Sequence, residues 1–291
     1  MSEKPRIHPY LALSISIVAV STASILIRMS SAGPLAIAAF RLIFATAILA
    51  PFFIRSDGIQ TLRSVGSRGI AVLIIVGVVL ALHFATWITS LSLTSVANSV
   101  IFVHADPIFV AIVSHFLLKE RVDRRVAGGI AIAFAGATIL AVGDMQVGGM
   151  NLYGDALALI GAMMLGVYIL SGRRIRQNLS LLSYVTPVYA TSALVLSMGC
   201  LLTGTPMLAY PAMEYMIFLS IAVVPMILGH TIYNWALRWI PAPIVSISLL
   251  GEPVGASILA FLILSDVPNA MTILGGAVTL AGIALCTFRR S

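Results

Sequence analysis

Apolar residues gather into long runs over 9–27, 35–54, 69–90, 94–118, 126–142, 152–171, 182–203, 213–237, 243–262 and 270–288. These runs are too long for strands and show no period-two alternation, which predicts helices. A hydrocarbon core roughly 30 Å thick takes about 20 apolar residues per helix, so each run is long enough to cross it. The breaks between them, such as Arg55–Arg68, Gly143–Asn151 and Thr203–Pro211, carry the charges and turn formers. The pattern predicts an all-α membrane protein of ten transmembrane helices.

Composition agrees. The 291 residues are 60% hydrophobic and only 9% charged, with a mean hydropathy of +1.07. A soluble domain carries about a quarter charged residues, so too few remain here to cover a water-facing surface. Helices of this length leave only short loops and no room for a sizeable soluble domain. Cys200 and Cys286 lie in apolar runs without motif spacing and read as small core residues.

The net charge of +7 would point to nucleic acid in a soluble chain. Here its placement points to the membrane instead. With the N-terminus inside and strict alternation, the inner segments hold Lys4, Arg6, Arg55, Arg63, Arg68, Lys119, Arg121, Arg124, Arg125, Arg173, Arg174, Arg176, Arg238, Arg289 and Arg290. Only Arg28 falls outside, and Arg41 falls within a helix. This asymmetry obeys the positive-inside rule and predicts that both termini are cytoplasmic, in a plasma membrane such as the bacterial inner membrane. The first run is longer than the apolar core of a signal peptide, so an uncleaved first helix is expected.

The chain also repeats itself. Shifted by 146 residues, the halves align without gaps from about 83 to 139. Pro107 meets Pro253, Gly129 meets Gly275, Gly136 meets Gly282, Asp106 meets Glu252 and Glu120 meets Asp266. The predicted domains are therefore 1–145 and 146–291, five helices each. An odd number of crossings inverts the second half relative to the first, and inverted repeats are characteristic of secondary transporters.

Two stretches carry a family resemblance. They are WITSLSLTSVANSVIFVHADPIFVAIVSHFLLKERV over 87–122 and NWALRWIPAPIVSISLLGEPVGASILAFLILSD over 234–266. With LGGAVTLAGIAL over 274–285, they resemble the EamA domains of the drug/metabolite transporter superfamily across essentially the whole chain. The resemblance implies a ten-helix carrier of amino acids, related metabolites or vitamins, often working outward. The sequence departs from the family pattern at Asp106, where a small or hydroxyl residue is usual, and at Asp266, where Glu is usual.

Asp106 and Glu252 are the sharpest chemical candidates. Each sits about 11 residues, or roughly 16 Å of helical rise, into its predicted helix. An acid near the bilayer midplane is costly and by default functional. Each also precedes a proline, Pro107 or Pro253, which removes a backbone donor and kinks the helix. The alternative reading is a buried acid that only braces the kink. Arg41, inside the second helix, either pairs with a carboxylate, binds a substrate's carboxylate or snorkels to the surface. His83 and Trp87 share one helical face, as do His230, Tyr233 and Asn234 in the matching region of the second half. Both groups suit either a cavity for an amphipathic metabolite or ordinary interhelical packing. Asn98 and His104 are further candidates. Glu120 reads as a loop-bracing helix end, and the paired glycines as places of close helix approach.

No phosphate-binding glycine loop points to ATP drive, and no Cys/His cluster or HExxH motif points to a metal. The sequence thus predicts a non-enzymatic secondary carrier with no cofactor, embedded in lipid as a monomer or homodimer. It would take a small-molecule substrate into a cavity lined by helices 1, 3, 4, 6, 8 and 9, with protons as a candidate coupling ion. The leading expectation is export of amino acids or related compounds. The competing expectations are uptake of a vitamin or nucleoside-like solute, a lipid-modifying membrane enzyme, and a channel or structural subunit.

Overall fold

A computed structural model describes residues 5, 7–94, 99, 102–120, 122–143, 152–264 and 267–287. Asn98 and Asp266, the boundary at 145–146, and the basic residues Lys4, Arg6, Arg121, Arg289 and Arg290 lie outside the described residues. Within them the chain is helical, without strands.

Among the described residues the longer helical segments are α1 Pro9–Met29, α2 Pro34–Arg55, α3 Gly58–Leu93, α4 Asp106–Leu118, α5 Arg124–Gly143, α6 Leu152–Ile175, α7 Leu181–Thr203, α8 Ala212–Ala236, α9 Ala242–Ile263 and α10 Ala270–Thr287. Eight of these, all but α4 and α5, qualify as membrane spans by length and hydropathy among the described residues. Large apolar side chains such as Val18, Ile75, Phe116, Leu194, Met198, Leu202 and Ile273 stand exposed. Apolar surface on this scale fits lipid and not water.

The main difference from the expected spans is in α3. It begins at Gly58 and runs for 36 residues, whereas the sequence pattern starts the third helix at 69. Gly66 breaks it, with φ of +66°, a conformation that favours glycine. The segment before Gly66 is too polar to register as a span, yet its Leu62 and Val65 pack against the core.

Helix pairing is organised around the halves. α5 packs on α10, α2 on α7 and α4 on α9; α3 packs on α6 as α1 does on α8, and α3 on α7 as α2 does on α8. Each of these pairs maps onto itself or onto another of them when every helix number is shifted by five. The α5–α10 seam is closest. A methyl group added at Gly129 would lie 2.8 Å from the carbonyl oxygen of Gly282, and one at Gly136 would lie 2.8 Å from that of Gly275. The two helices therefore run antiparallel. At the centre of the seam Ala133 meets Thr279, 146 residues away, whose Oγ1 reaches the Ala133 carbonyl at 3.5 Å. Phe84 and His230 are also 146 apart, and their ring centroids lie 5.2 Å from each other.

Two helix interruptions lie beside the matched prolines Pro107 and Pro253. Phe102 and Val103 are helical, and His104 and Ala105 form a turn before α4. In α9 the break falls at Leu250, between Ala242–Leu249 and Gly251–Leu264. His104 and Leu250 are themselves 146 apart. The physical cause is shared: proline clashes with the carbonyl four residues back and offers it no hydrogen bond. In α8 the stretch Ala222–Thr231, which contains Pro225, is π-helical. Such wide turns are frequent at functional sites.

Candidate central binding site

Two adjoining cavities occupy the middle of the bundle. The deep chamber, about 30 Å³, is lined by Val20, Ala23, Arg41, His83, Trp87, Val103, His104, Leu165, Pro225, His230, Tyr233, Leu249 and Glu252. The second, about 280 Å³, shares Trp87, His104 and Glu252 with it. It runs on to Arg28, Ser30, Ala32, Pro34 and Ser92, where α1, α2 and α3 meet at one end of the bundle.

At the opposite end the helices are tied together. Glu120 accepts hydrogen bonds from Arg173 Nε at 2.6 Å, Ser114 Oγ at 2.7 Å and the Ala242 amide at 3.0 Å. Arg173 Nη1 also donates to the carbonyls of Leu237 and Arg238, at 2.8 and 3.1 Å. One carboxylate and one guanidinium thus link the ends of α4, α6 and α8 to the start of α9. Glu120 braces this end of the bundle.

Glu252 sits just past the α9 break and lines both cavities. Its Oε2 lies 3.8 Å from His104 Nε2, and its side chain keeps 19% of its exposure. Asp106 differs. It is buried, Ser246 Oγ donates to its Oδ2, and its Oδ1 has no protein partner. Asp106 lines neither cavity.

Arg41 reaches the deep chamber from α2, a helix absent from the expected lining. It does not snorkel, and among the described residues it forms no ion pair. The residue is 1% exposed. Its guanidinium lies 3.9 Å from the centre of the Phe84 ring, and Nη2 meets only the Met226 sulfur, at 3.7 Å. Its Nε and Nη1 have no hydrogen-bond partner.

His83 Nδ1 lies 2.9 Å from the Gly161 carbonyl, so this nitrogen carries the proton. The His83 ring stacks on Trp87, with centroids 5.9 Å apart and planes at 11°. Trp87 is buried, and its Nε1 has no hydrogen-bond partner. His230 Nδ1 and the Tyr233 hydroxyl share a 2.6 Å hydrogen bond. Asn234, on the same helix, turns away from the cavities. Its Nδ2 donates to the Tyr168 hydroxyl at 2.9 Å and to the His230 carbonyl at 2.6 Å.

Sequence reading missed the apolar wall: Val20, Ala23, Val103, Leu165 and Leu249. Nothing separates them in sequence from lipid-facing neighbours. Pro225 and Ser246 did leave signals, as a proline and a hydroxyl inside predicted spans.

The sequence profile of the EamA-like transporter family matches residues 7–142 and again 152–288. The chain is 24% identical over 288 residues to an uncharacterized transporter of Archaeoglobus fulgidus, covering 97% of this chain and 98% of that one. It is 23% identical over 270 residues to the uncharacterized transporter YyaM of Bacillus subtilis, covering 86% and 85%. One protein of known crystal structure superposes with a TM-score of 0.77 over 96% of each chain, at 18% identity. That likeness concerns the fold alone.

Proposed function

Because the chain belongs to the EamA-like transporter family, we propose that it is a secondary carrier exporting amino acids or related small amphipathic metabolites. The halves 1–145 and 146–291 act as inverted repeats that rock about the central cavity by alternating access. One observation carries this reading: the cavity is lined by both halves and lies at the interruptions before α4 and within α9, open toward one end and tied at the other. Carriers build their sites at such interrupted helices. The antiparallel α5–α10 seam, and the contacts of Phe84 with His230 and of Ala133 with Thr279, support the inverted arrangement. Residues that lie on a two-fold axis touch their own counterparts.

Both termini face the cytoplasm of a bacterial cell in this reading. The cavity then opens outward, and the Glu120–Arg173 tether closes the inner face. Reporter fusions after Gln60 and Ser291 both give cytoplasmic signals; opposite signals overturn the orientation. A proton carried by Glu252 is the proposed coupling ion.

Transport is tested by counterflow in proteoliposomes. Unlabelled substrate inside should drive saturable, transient accumulation of labelled amino acid. Flux that rises linearly with concentration, with no trans-stimulation, overturns the carrier in favour of a channel.

A further inference from the structure

Arg41 poses a problem that packing does not solve. Burying a charged group without a partner is costly. Arg41 lies about 10 Å of helical rise inside α2, is 1% exposed, and leaves two of its three guanidinium nitrogens without hydrogen-bond partners. The indole of Trp87, on the wall of the same chamber, is a third buried donor without an acceptor. All three are donors and none can accept. The chamber therefore presents an unmet demand for acceptor oxygens and negative charge.

The charges around it narrow the ligand. Arg28 lines the outer part of the path and Arg41 its deep end, with Glu252 common to both cavities. Arg41 and Glu252 both line the deep chamber, and among the described residues no ion pair joins them. A solute that is only a cation meets two arginines, and a dianion meets Glu252. A solute with one carboxylate and one ammonium group matches both fixed charges. The deep chamber is small enough for a head group, and the wider cavity beside it accepts an apolar body against Trp87, Ile88 and Leu91.

We propose that Arg41 is the carboxylate-recognition residue of the central site, holding the substrate's carboxylate together with Trp87 Nε1 while Glu252 takes its ammonium group. This rests on the carrier reading above and assigns the orientation of the substrate within it. The stability lost by burying Arg41 unpaired is recovered when the carboxylate binds. Trade-offs of this kind mark functional sites.

The test is ligand-induced thermal stabilisation of the purified protein. Three skeletons, those of leucine, phenylalanine and tryptophan, are each supplied as the amino acid, as the acid lacking the amino group and as the amide lacking the carboxylate. At least one skeleton should stabilise the protein in the order amino acid, acid, amide, with the amide at least about tenfold weaker, as expected for a lost charge-assisted pair. Arg41→Gln should remove the preference for the carboxylate, and Arg41→Lys should retain part of it. Glu252→Gln should weaken the amino acid and leave the acid unchanged. Without ligand, Arg41→Met should melt no lower than wild type and about 2–4 °C higher, an outcome that a structural role for Arg41 forbids.

An amide that stabilises as well as its amino acid overturns the proposal. So does the absence of any shift across the panel at millimolar concentration, or a lower melting point for ligand-free Arg41→Met. Counterflow separates the two readings. Arg41-dependent binding without counterflow sinks the carrier and leaves the site. Counterflow of a solute without a carboxylate keeps the carrier and sinks the site.

Discussion

Asp106 and Glu252 occupy equivalent positions in the two halves, each before a proline and close to a helix interruption, yet their surroundings differ. Glu252 keeps 19% of its side-chain exposure and lines both cavities beside His104. Asp106 is sealed against Ser246 and lines neither. The repeat reproduces the backbone, because the proline imposes the same break in each half. It does not reproduce the partners. The counterpart of Ser246 is Val100, and that of His104 is Leu250. One acid is thus held by a hydroxyl, and the other is left facing the space where a solute would sit. The two acids match in sequence position, and the residues beside them make them unequal.

The comparison breaks most easily at Glu252. A hydrogen bond to a charged group is worth about 1.5–3 kcal/mol, and about 1.4 kcal/mol is a factor of ten. Glu252→Gln is therefore expected to lower counterflow at least about tenfold with little change in melting temperature. Asp106→Asn keeps an oxygen for Ser246 and replaces the buried carboxyl group with an amide. Its counterflow should stay within about threefold of wild type, below the loss of one charged hydrogen bond. If Asp106→Asn abolished transport as completely as Glu252→Gln, the acids would be functionally equal and the contrast in burial would be irrelevant to function.

Next in size is Ser246→Ala. It leaves both oxygens of Asp106 without a protein donor, which costs about 1–3 kcal/mol when a buried polar group loses its partner. A lower melting temperature is expected, with little change in substrate affinity. In the Asp106→Asn background the same substitution should cost less, since the bond that it removes is then made to an amide and no longer to the carboxyl group. Equal losses in both backgrounds would mean that Ser246 stabilises something other than Asp106.

These contrasts also mark what was legible in the sequence. Hydropathy locates the segments that enter the membrane, and Pro107 and Pro253 mark two of the interruptions. Facing is harder, because lipid and protein interior are equally apolar. Val20, Ala23 and Leu165 wall the cavity, while Val18 and Ile75 face outward, and composition does not separate them. Polar residues do better, since they avoid lipid: His83, Trp87, His230 and Tyr233 all reach the cavity. Even so, Asn234 shares their stripe and spends its amide on Tyr168 and the His230 carbonyl. Periodicity fixes a direction on one helix, and the neighbouring helix decides whether a void or a partner stands there. The start of α3 was missed for a different reason: the turn at Gly66 isolates a helical segment too short and too polar to read as a span.

The smallest expected effect lies at His104, and it sharpens the comparison most. His104 Nε2 stands 3.8 Å from Glu252 Oε2, too far for a good hydrogen bond but close enough for a charge to be felt. A contact of this kind contributes about 0.2–1 kcal/mol when partly exposed, so His104→Gln should reduce counterflow by no more than about fivefold. The informative measurement is the double-mutant cycle. If His104 acts by positioning Glu252, its substitution should have no further effect once Glu252→Gln is in place, because coupled residues are not additive. If the two losses multiply instead, His104 contributes to the site on its own account. The asymmetry between the halves would then rest on the replacement of Leu250 by histidine at its counterpart position, and not on the acid it faces.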